Sequence, residues 1–265
     1  MLLKETSMNI TVLCENTTLD PTLTAEHGLS LFIETEDKRI LFDMGQTAAF
    51  ADNAEKLGVD LASVDFAVLS HGHYDHGGGL ARFLEINKTA PVYLSRHAFG
   101  EHYNGTEKYI GLDKTLDGSD RLIPVENCTV SGCEILTLKN ASLPYPINPG
   151  GLGVLENGVI KAENFAHEIF LRINEQGRSY LFSGCAHTGV LNITELFRPD
   201  VFIGGFHFSK FDPDGIEIRH AAEVLSGQMC TYHTCHCTGE EQFFALKKRL
   251  GSRIGYISTG FSGEI

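Results

Sequence analysis

Residues 64–80, VDFAVLSHGHYDHGGGL, run an apolar stretch straight into three histidines, an aspartate and a glycine triplet. The apolar part, VDFAVLS, is short and ends in serine, and it reads as a buried strand. On an extended segment leaving that strand, His71 and His73 stand two apart and point the same way, so together they can grip one metal ion. Asp75 and His76 are adjacent and diverge, which suits them to a second ion. Imidazole with carboxylate is a ligand set for zinc, iron or manganese rather than for calcium or magnesium. Gly72, Gly77 and Gly78 allow the backbone to turn tightly between these ligands.

The rest of the chain offers a frame for that turn. Two segments share one plan of hairpin, strand and small-residue turn: LFIETEDKRILFDMG (31–45) and IFLRINEQGRSYLFSGC (169–185). The echo continues in VDFAVLSHGH (64–73) and PDVFIGGFHF (199–208), which sets His207 beside the His71/His73 position. VYLSRH (92–97) and TYHTCH (231–236) pair His97 with His236. Helical spacing follows at Gly78–Asn87, and EEQFFALKKRL (240–250) has acids first and bases last, as a helix dipole prefers. Strands alternating with helices predict an α/β architecture in which helices cover sheets. The chain reads as one domain over 1–265, with a loop-rich insertion or lid at about 98–163, where Gly, Pro and Asn accumulate.

Composition removes several function classes. With 21 basic and 34 acidic residues the net charge is −13, which disfavours nucleic acid as a partner. No window approaches the roughly 20 apolar residues that cross a bilayer. The seven cysteines show no tandem disulfide spacing, and the opening MLLKETSMNITVLCENT lacks the apolar centre of a signal peptide. A cytoplasmic protein acting on a small-molecule substrate is expected, with its oligomeric state open.

Ser-His-x-His-x-Asp-His-Gly-Gly at the end of a buried strand resembles the signature of the metallo-β-lactamase superfamily. The resemblance implies a four-layer αββα sandwich of two similar halves, with metal at one edge between the sheets. EHGLSLFIE (26–34) and ILFDMGQT (40–47) resemble the superfamily's opening strands, and Asp43 then takes the role of orienting the ligand loop. LFSGCAHTGVLNI, VFIGGFHF and CHCTG are most similar to one branch. Its archaeal members are called dihydropterin-ribofuranosylaminobenzene-phosphate synthases, and many bacterial members are called metal-dependent hydrolases. The likeness covers nearly the whole chain except 98–163.

The superfamily pattern calls for three further ligands: a histidine before the later hairpin, a bridging aspartate and a terminal histidine. His236 in CHCTG matches the terminal one. Cys185 stands where the bridging aspartate belongs; a thiolate also binds zinc, but a small buried residue is the alternative, and His187 is favoured over it as a ligand. The remaining position falls on His167, or a few residues earlier at Glu163 and Asn164. His207 is expected to contact substrate, and His27 to line the same cleft. His97 and His102 carry no assignment, and Cys235 and Cys237 flank His236 without a zinc-knuckle spacing.

The resemblance implies zinc as cofactor, one or two ions, with iron or manganese as alternatives. Such ions lower the pKa of a bound water to about 7. Asp75 would ligate one ion and accept a hydrogen bond from the resulting hydroxide. The expected reaction is hydrolysis of an ester, amide or phosphoester of a small anionic molecule. The runner-up is condensation of a pterin-methyl diphosphate with an arylamine, releasing pyrophosphate. A non-hydrolytic metal or redox domain is the third reading; the altered position 185 and the lack of a flavin-binding domain count against it.

Overall fold

The structure, a computed structural model, describes residues 8–265. Residues 1–7, part of the opening scanned for a signal peptide, lie outside the described residues. Two seven-stranded sheets dominate. The first runs, edge to edge, through Ser262–Glu264, Asn9–Cys14, Ser30–Glu34, Arg39–Phe42, Phe66–Leu69, Val92–Ser95 and Leu122–Val125. The second runs through Ile254–Tyr256, Thr231–Thr234, Val201–Gly204, Arg178–Ser183, Phe170–Glu175, Cys133–Leu136 and Cys128–Val130.

The internal echo is a property of the fold. In each sheet an antiparallel hairpin, registered Leu31↔Phe42 in one and Leu171↔Phe182 in the other, is followed by parallel strands. His71 and His207 follow the corresponding first parallel strands, Phe66–Leu69 and Val201–Gly204. His236 follows the next one in the second sheet, Thr231–Thr234.

Burial on both faces explains why these strands read as nearly continuous apolar runs. Leu31, Ile33 and Phe42 face Leu171, Ile173 and Phe182 across the space between the sheets. The Phe42 and Phe182 rings meet there with centroids 6.0 Å apart. Phe32 and Leu41 point the other way, against helices Ala49–Leu57 and Leu80–Ile86. On the far side Phe170, Leu181 and Phe202 pack against Val190–Phe197, Ile216–Ser226 and Glu240–Leu250. The layers are therefore α, β, β and α. The helix expected over 78–87 is shorter: a single turn, Tyr74–Gly77, carries Asp75 and His76, and Leu80–Ile86 follows it.

The stretch 98–163 is rich in loops, with no strand or helix over 137–151, but it also carries seven short strands. His102–Asn104, Lys108–Tyr109, Leu152–Glu156 and Val159–Ala162 build a separate four-stranded sheet. Leu122–Val125 extends the first large sheet, while Cys128–Val130 and Cys133–Leu136 extend the second. Strands of two to five residues between glycine turns leave too little alternation for a periodic signal. Gly132 and Gly158 make two of those turns with φ of 84° and 78°, a conformation that suits glycine. Among the described residues, no helix is long and apolar enough to cross a membrane.

Because Phe182 is fully buried between the sheets, Phe182→Ala leaves a cavity at the seam of the sandwich. The expected loss is about 3–5 kcal/mol of folding stability, read as a lower urea midpoint with an unchanged slope.

Candidate metal centre

The strand Arg39–Phe42 ends at Asp43, whose backbone is left-handed (φ 60°) and whose side chain is fully buried. Its Oδ1 accepts the Ser70 N–H at 2.7 Å, and its Oδ2 accepts the Ser70 hydroxyl at 2.7 Å and His76 Nδ1–H at 2.6 Å. Ser70 spends its only hydroxyl proton on Asp43, so its oxygen, 2.8 Å from His71 Nδ1, accepts from that ring. One carboxylate thereby fixes the tautomer of two histidines, each in its neutral form left with a lone pair on Nε2.

Those Nε2 atoms face other ring nitrogens. His236 Nδ1 donates to Asn16 Oδ1 at 2.7 Å, which frees its Nε2. That nitrogen lies 3.2 Å from His76 Nε2, and Cys185 Sγ lies 3.1 Å from the same His76 atom. His71 Nε2 lies 3.3 Å from His187 Nε2. Below about pH 9 His76 keeps a proton that lies between it and His236, and no Nδ1 partner fixes the proton of His187; a metal cation in either gap would take the place of the proton and bind both nitrogens. Donor atoms of Asp75, His76, Cys185 and His236 lie within 4.8 Å of one another, as do those of His71, Cys185 and His187. Cys185 belongs to both groups, and His71, His73 and Asp75 form a third. The residues fit one or two ions of the zinc class.

The expected site residues thus converge. His27 Nε2 contacts Asp75 Oδ2 at 3.2 Å, and the ring is half exposed at the rim. His207, also left-handed (φ 58°), brings its ring to 4.4 Å from His187. Both line a cavity of about 170 Å³ together with His73, Asp75, Cys185 and His236. His187 and His207 also border a second cavity of about 430 Å³ walled by Tyr145, Phe206, Phe208 and Phe211. Cys235 lies in the core between the large sheets, away from this cavity.

The surroundings explain how the histidines are held. Glu168 accepts the His187 N–H at 2.7 Å and both the N–H and hydroxyl of Thr188. Glu15 accepts the His236 N–H at 2.7 Å. A Cβ on Gly72 would come within 2.0 Å of the Ala98 carbonyl oxygen, and one on Gly184 within 2.2 Å of Ser70 Oγ. Glycine is required where these turns close on each other.

His167 does not offer a ligand atom to these groups. Its Nδ1 accepts the Gly72 N–H at 2.9 Å, which puts its proton on Nε2 and makes it a brace for the ligand turn. Glu163 has a different partner. Its Oε2 accepts His102 Nδ1–H at 2.8 Å, leaving His102 Nε2 buried and unpartnered beside the equally unpartnered His73 Nε2. No role for His102 is legible in the sequence, because its partner lies 61 positions away. Asn16, Glu15, Ser70 and Glu168 were missed for the same reason; an acid inside an apolar run, as in AHEIFL, is the one signal available.

Burial holds His71 and His187 well below the ordinary histidine range and takes His73 down to about 3, so all three are neutral donors. His76 goes the other way. Burial lowers its pKa, but the charges of Asp43 and Asp75 outweigh that and raise it to about 9. Burial alone would raise Asp75, yet His76, His236 and His27 hold it well below the carboxylate range. Burial pushes the Cys185 thiol up.

Comparison with known proteins agrees with this geometry. The sequence profile of the metallo-β-lactamase superfamily matches residues 23–210. The chain belongs to the metallo-β-lactamase superfamily. It is 30% identical over 254 residues to a Methanocaldococcus jannaschii protein named 7,8-dihydropterin-6-methyl-4-(β-D-ribofuranosyl)-aminobenzene-5′-phosphate synthase, covering 81% of this chain and 82% of that one. An uncharacterized protein of the same organism is 28% identical over 251 residues, covering 91% and 93%. The crystal structure of Tm1679, described as a metal-dependent hydrolase of the β-lactamase superfamily, superposes with a TM-score of 0.81 at 28% identity, covering 97% and 99%. The αββα layers are those of the superfamily, and the His/Asp/Cys clusters are groups that could hold a metal ion.

Two outcomes follow. Asp43→Asn removes the anion that fixes His71 and His76, and metal affinity measured by competition with a chelator is expected to fall about 10–100-fold. An ion entering beside His76 must displace a proton held with a pKa of about 9. Affinity should therefore climb with pH, approaching tenfold per unit, and flatten above about pH 9; a flat profile from pH 6 to 9 would contradict this linkage.

Proposed function

We propose that this superfamily member is a metal-dependent hydrolase acting on an ester, amide or phosphoester of a small anionic molecule. The observation that carries the reading is the pair of close Nε2–Nε2 approaches, His71–His187 and His76–His236, at 3.3 and 3.2 Å. In this reading His71, His73 and His187 hold one ion and Asp75, His76 and His236 the other, with Cys185 between them. Zinc suits a set of imidazole, carboxylate and thiolate better than manganese does. Bound there, the ions supply Lewis acidity and acidify a water towards neutrality.

The chain's own residues do the rest. Asp75, kept ionised by its three histidine neighbours, would accept a hydrogen bond from the attacking water and aim it into the cavity. His207, raised above the ordinary histidine range because its tie to Cys237 and the charge of Glu168 outweigh burial, faces the same space and contacts the substrate. His27 anchors Asp75 from the rim. The setting proposed is cytoplasmic, and the substrate a small molecule.

The hydrolase description of Tm1679 supports this reading, while the name of the 30%-identical relative favours a second one. In that second reading the same residues would bind the leaving diphosphate during condensation of a pterin with an arylamine. Supplying both substrates to metal-loaded protein separates the two, because coupling and hydrolysis give different products.

His71→Ala with His73→Ala should remove metal and activity together, by more than the about 10–100-fold that outer partners cost. Elemental analysis and turnover on ester and phosphoester panels check this. Full activity in metal-free protein would end the proposal.

A further inference from the structure

The cavity beside the candidate metal centre has two cationic walls that the roles assigned so far do not use. We propose that Lys108 and Lys210 form an oxyanion subsite there, and that the substrate presents a phosphate or diphosphate group to it. The inference rests on the two-ion reading of the site and adds to it the chemical class of the group being held.

Both lysines line the 170 Å³ cavity along with His73, Asp75, His187 and His236. They come from unrelated parts of the chain. Lys108 lies on the short strand Lys108–Tyr109 of the small sheet, and Lys210 lies three residues beyond His207 in the second half. In a chain with 34 acidic and 21 basic residues, several lysines find a carboxylate. Lys38, Lys114, Lys139 and Lys161 pair with Asp37, Glu101, Glu126 and Glu156. Lys108 touches only Tyr74, with its Nζ 3.5 Å from the hydroxyl and 5.5 Å from the ring centre. Lys210 has no carboxylate within ion-pair distance among the described residues.

The only carboxylate lining the cavity is Asp75, and its oxygen is already met by His27, His76 and His236 at 3.2, 3.8 and 3.5 Å. Two ammonium groups therefore stand over a concave site whose other acid, Cys237, is held well below the thiol range by Cys185 and His207 and is already paired with them. A cleft of one sign inside an acidic protein concentrates the opposite sign. A single carboxylate needs one such partner; a group carrying two or more charges on several oxygens uses both, and Ser209 and Asn104 on the same wall add hydrogen-bonding capacity. The volume of about 170 Å³ is enough for a phosphate or diphosphate group. The remainder of the substrate then extends past His187 and His207 into the 430 Å³ cavity they share.

The test is calorimetric titration of inorganic pyrophosphate, phosphate and acetate into metal-loaded protein, for the natural chain, Lys108→Ala, Lys210→Ala and the double variant. Metal content by elemental analysis and the thermal midpoint are measured on the same samples. Each lysine removed should weaken pyrophosphate binding about tenfold and the pair about 100-fold, with acetate changed less than threefold and the metal content unchanged. Wild-type pyrophosphate affinity in a fully metal-loaded double variant overturns the subsite. An equal loss for acetate overturns the phosphate class. If the natural chain takes up no ions, the two-ion reading fails, and titration of the ion-free proteins still decides whether the lysines hold pyrophosphate.

Discussion

The carboxylate of Asp43 is the interaction on which the site depends. A fully buried anion is costly unless every lone pair facing the interior is matched, and Asp43 is matched by Ser70 twice and His76 once. Those same three contacts decide which nitrogens of His71 and His76 face His187, His236 and Cys185. The two ends of the centre are thus wired to one group: His71 through the Ser70 hydroxyl, His76 directly. Loosening Asp43 releases both ends at once, whereas loosening Asn16 or Glu168 releases only His236 or His187.

The sandwich supplies the convergence. Each half ends parallel strands at the same edge, so a ligand turn after Phe66–Leu69 meets turns after Arg178–Ser183 and Thr231–Thr234. Bringing them together bends the backbone where side chains are unfavourable. Asp43, Ala186, His207 and His236 all sit in left-handed conformations with φ between 47° and 60°, uncommon for residues with a Cβ. Such strain persists only where packing over-determines it, and the core between the sheets, with Phe42 and Phe182 at its centre, performs that service here.

What the sequence made legible was local or repeated. The HGHYDH turn needs only its own spacing, and the hairpin echo needs only two segments of similar plan. The partners were not legible, because they lie far along the chain: His236 meets Asn16 across 220 positions and Glu15 across 221. Nothing near CHCTG signals an asparagine at the other end of the molecule. For His167 the sequence left ligand and supporting residue open; the hydrogen bond from Gly72 to its Nδ1 favours the supporting role. Within the loop-rich stretch 98–163 the strands themselves were not legible, because strands as short as Lys108–Tyr109 have no period to detect.

Cys185 changes what the centre can bind. A bridging aspartate would be ionised at neutral pH without help, but a buried thiol pushed upward by desolvation is protonated until an ion arrives. His76 is likewise protonated below about pH 9. Ion entry must therefore expel protons from neighbouring groups 3.1 Å apart, so hard, weakly binding ions gain less from the site than soft ones. In the proposed reading that preference favours zinc over manganese or magnesium, and it does so through Cys185, at the position where the superfamily pattern calls for an aspartate.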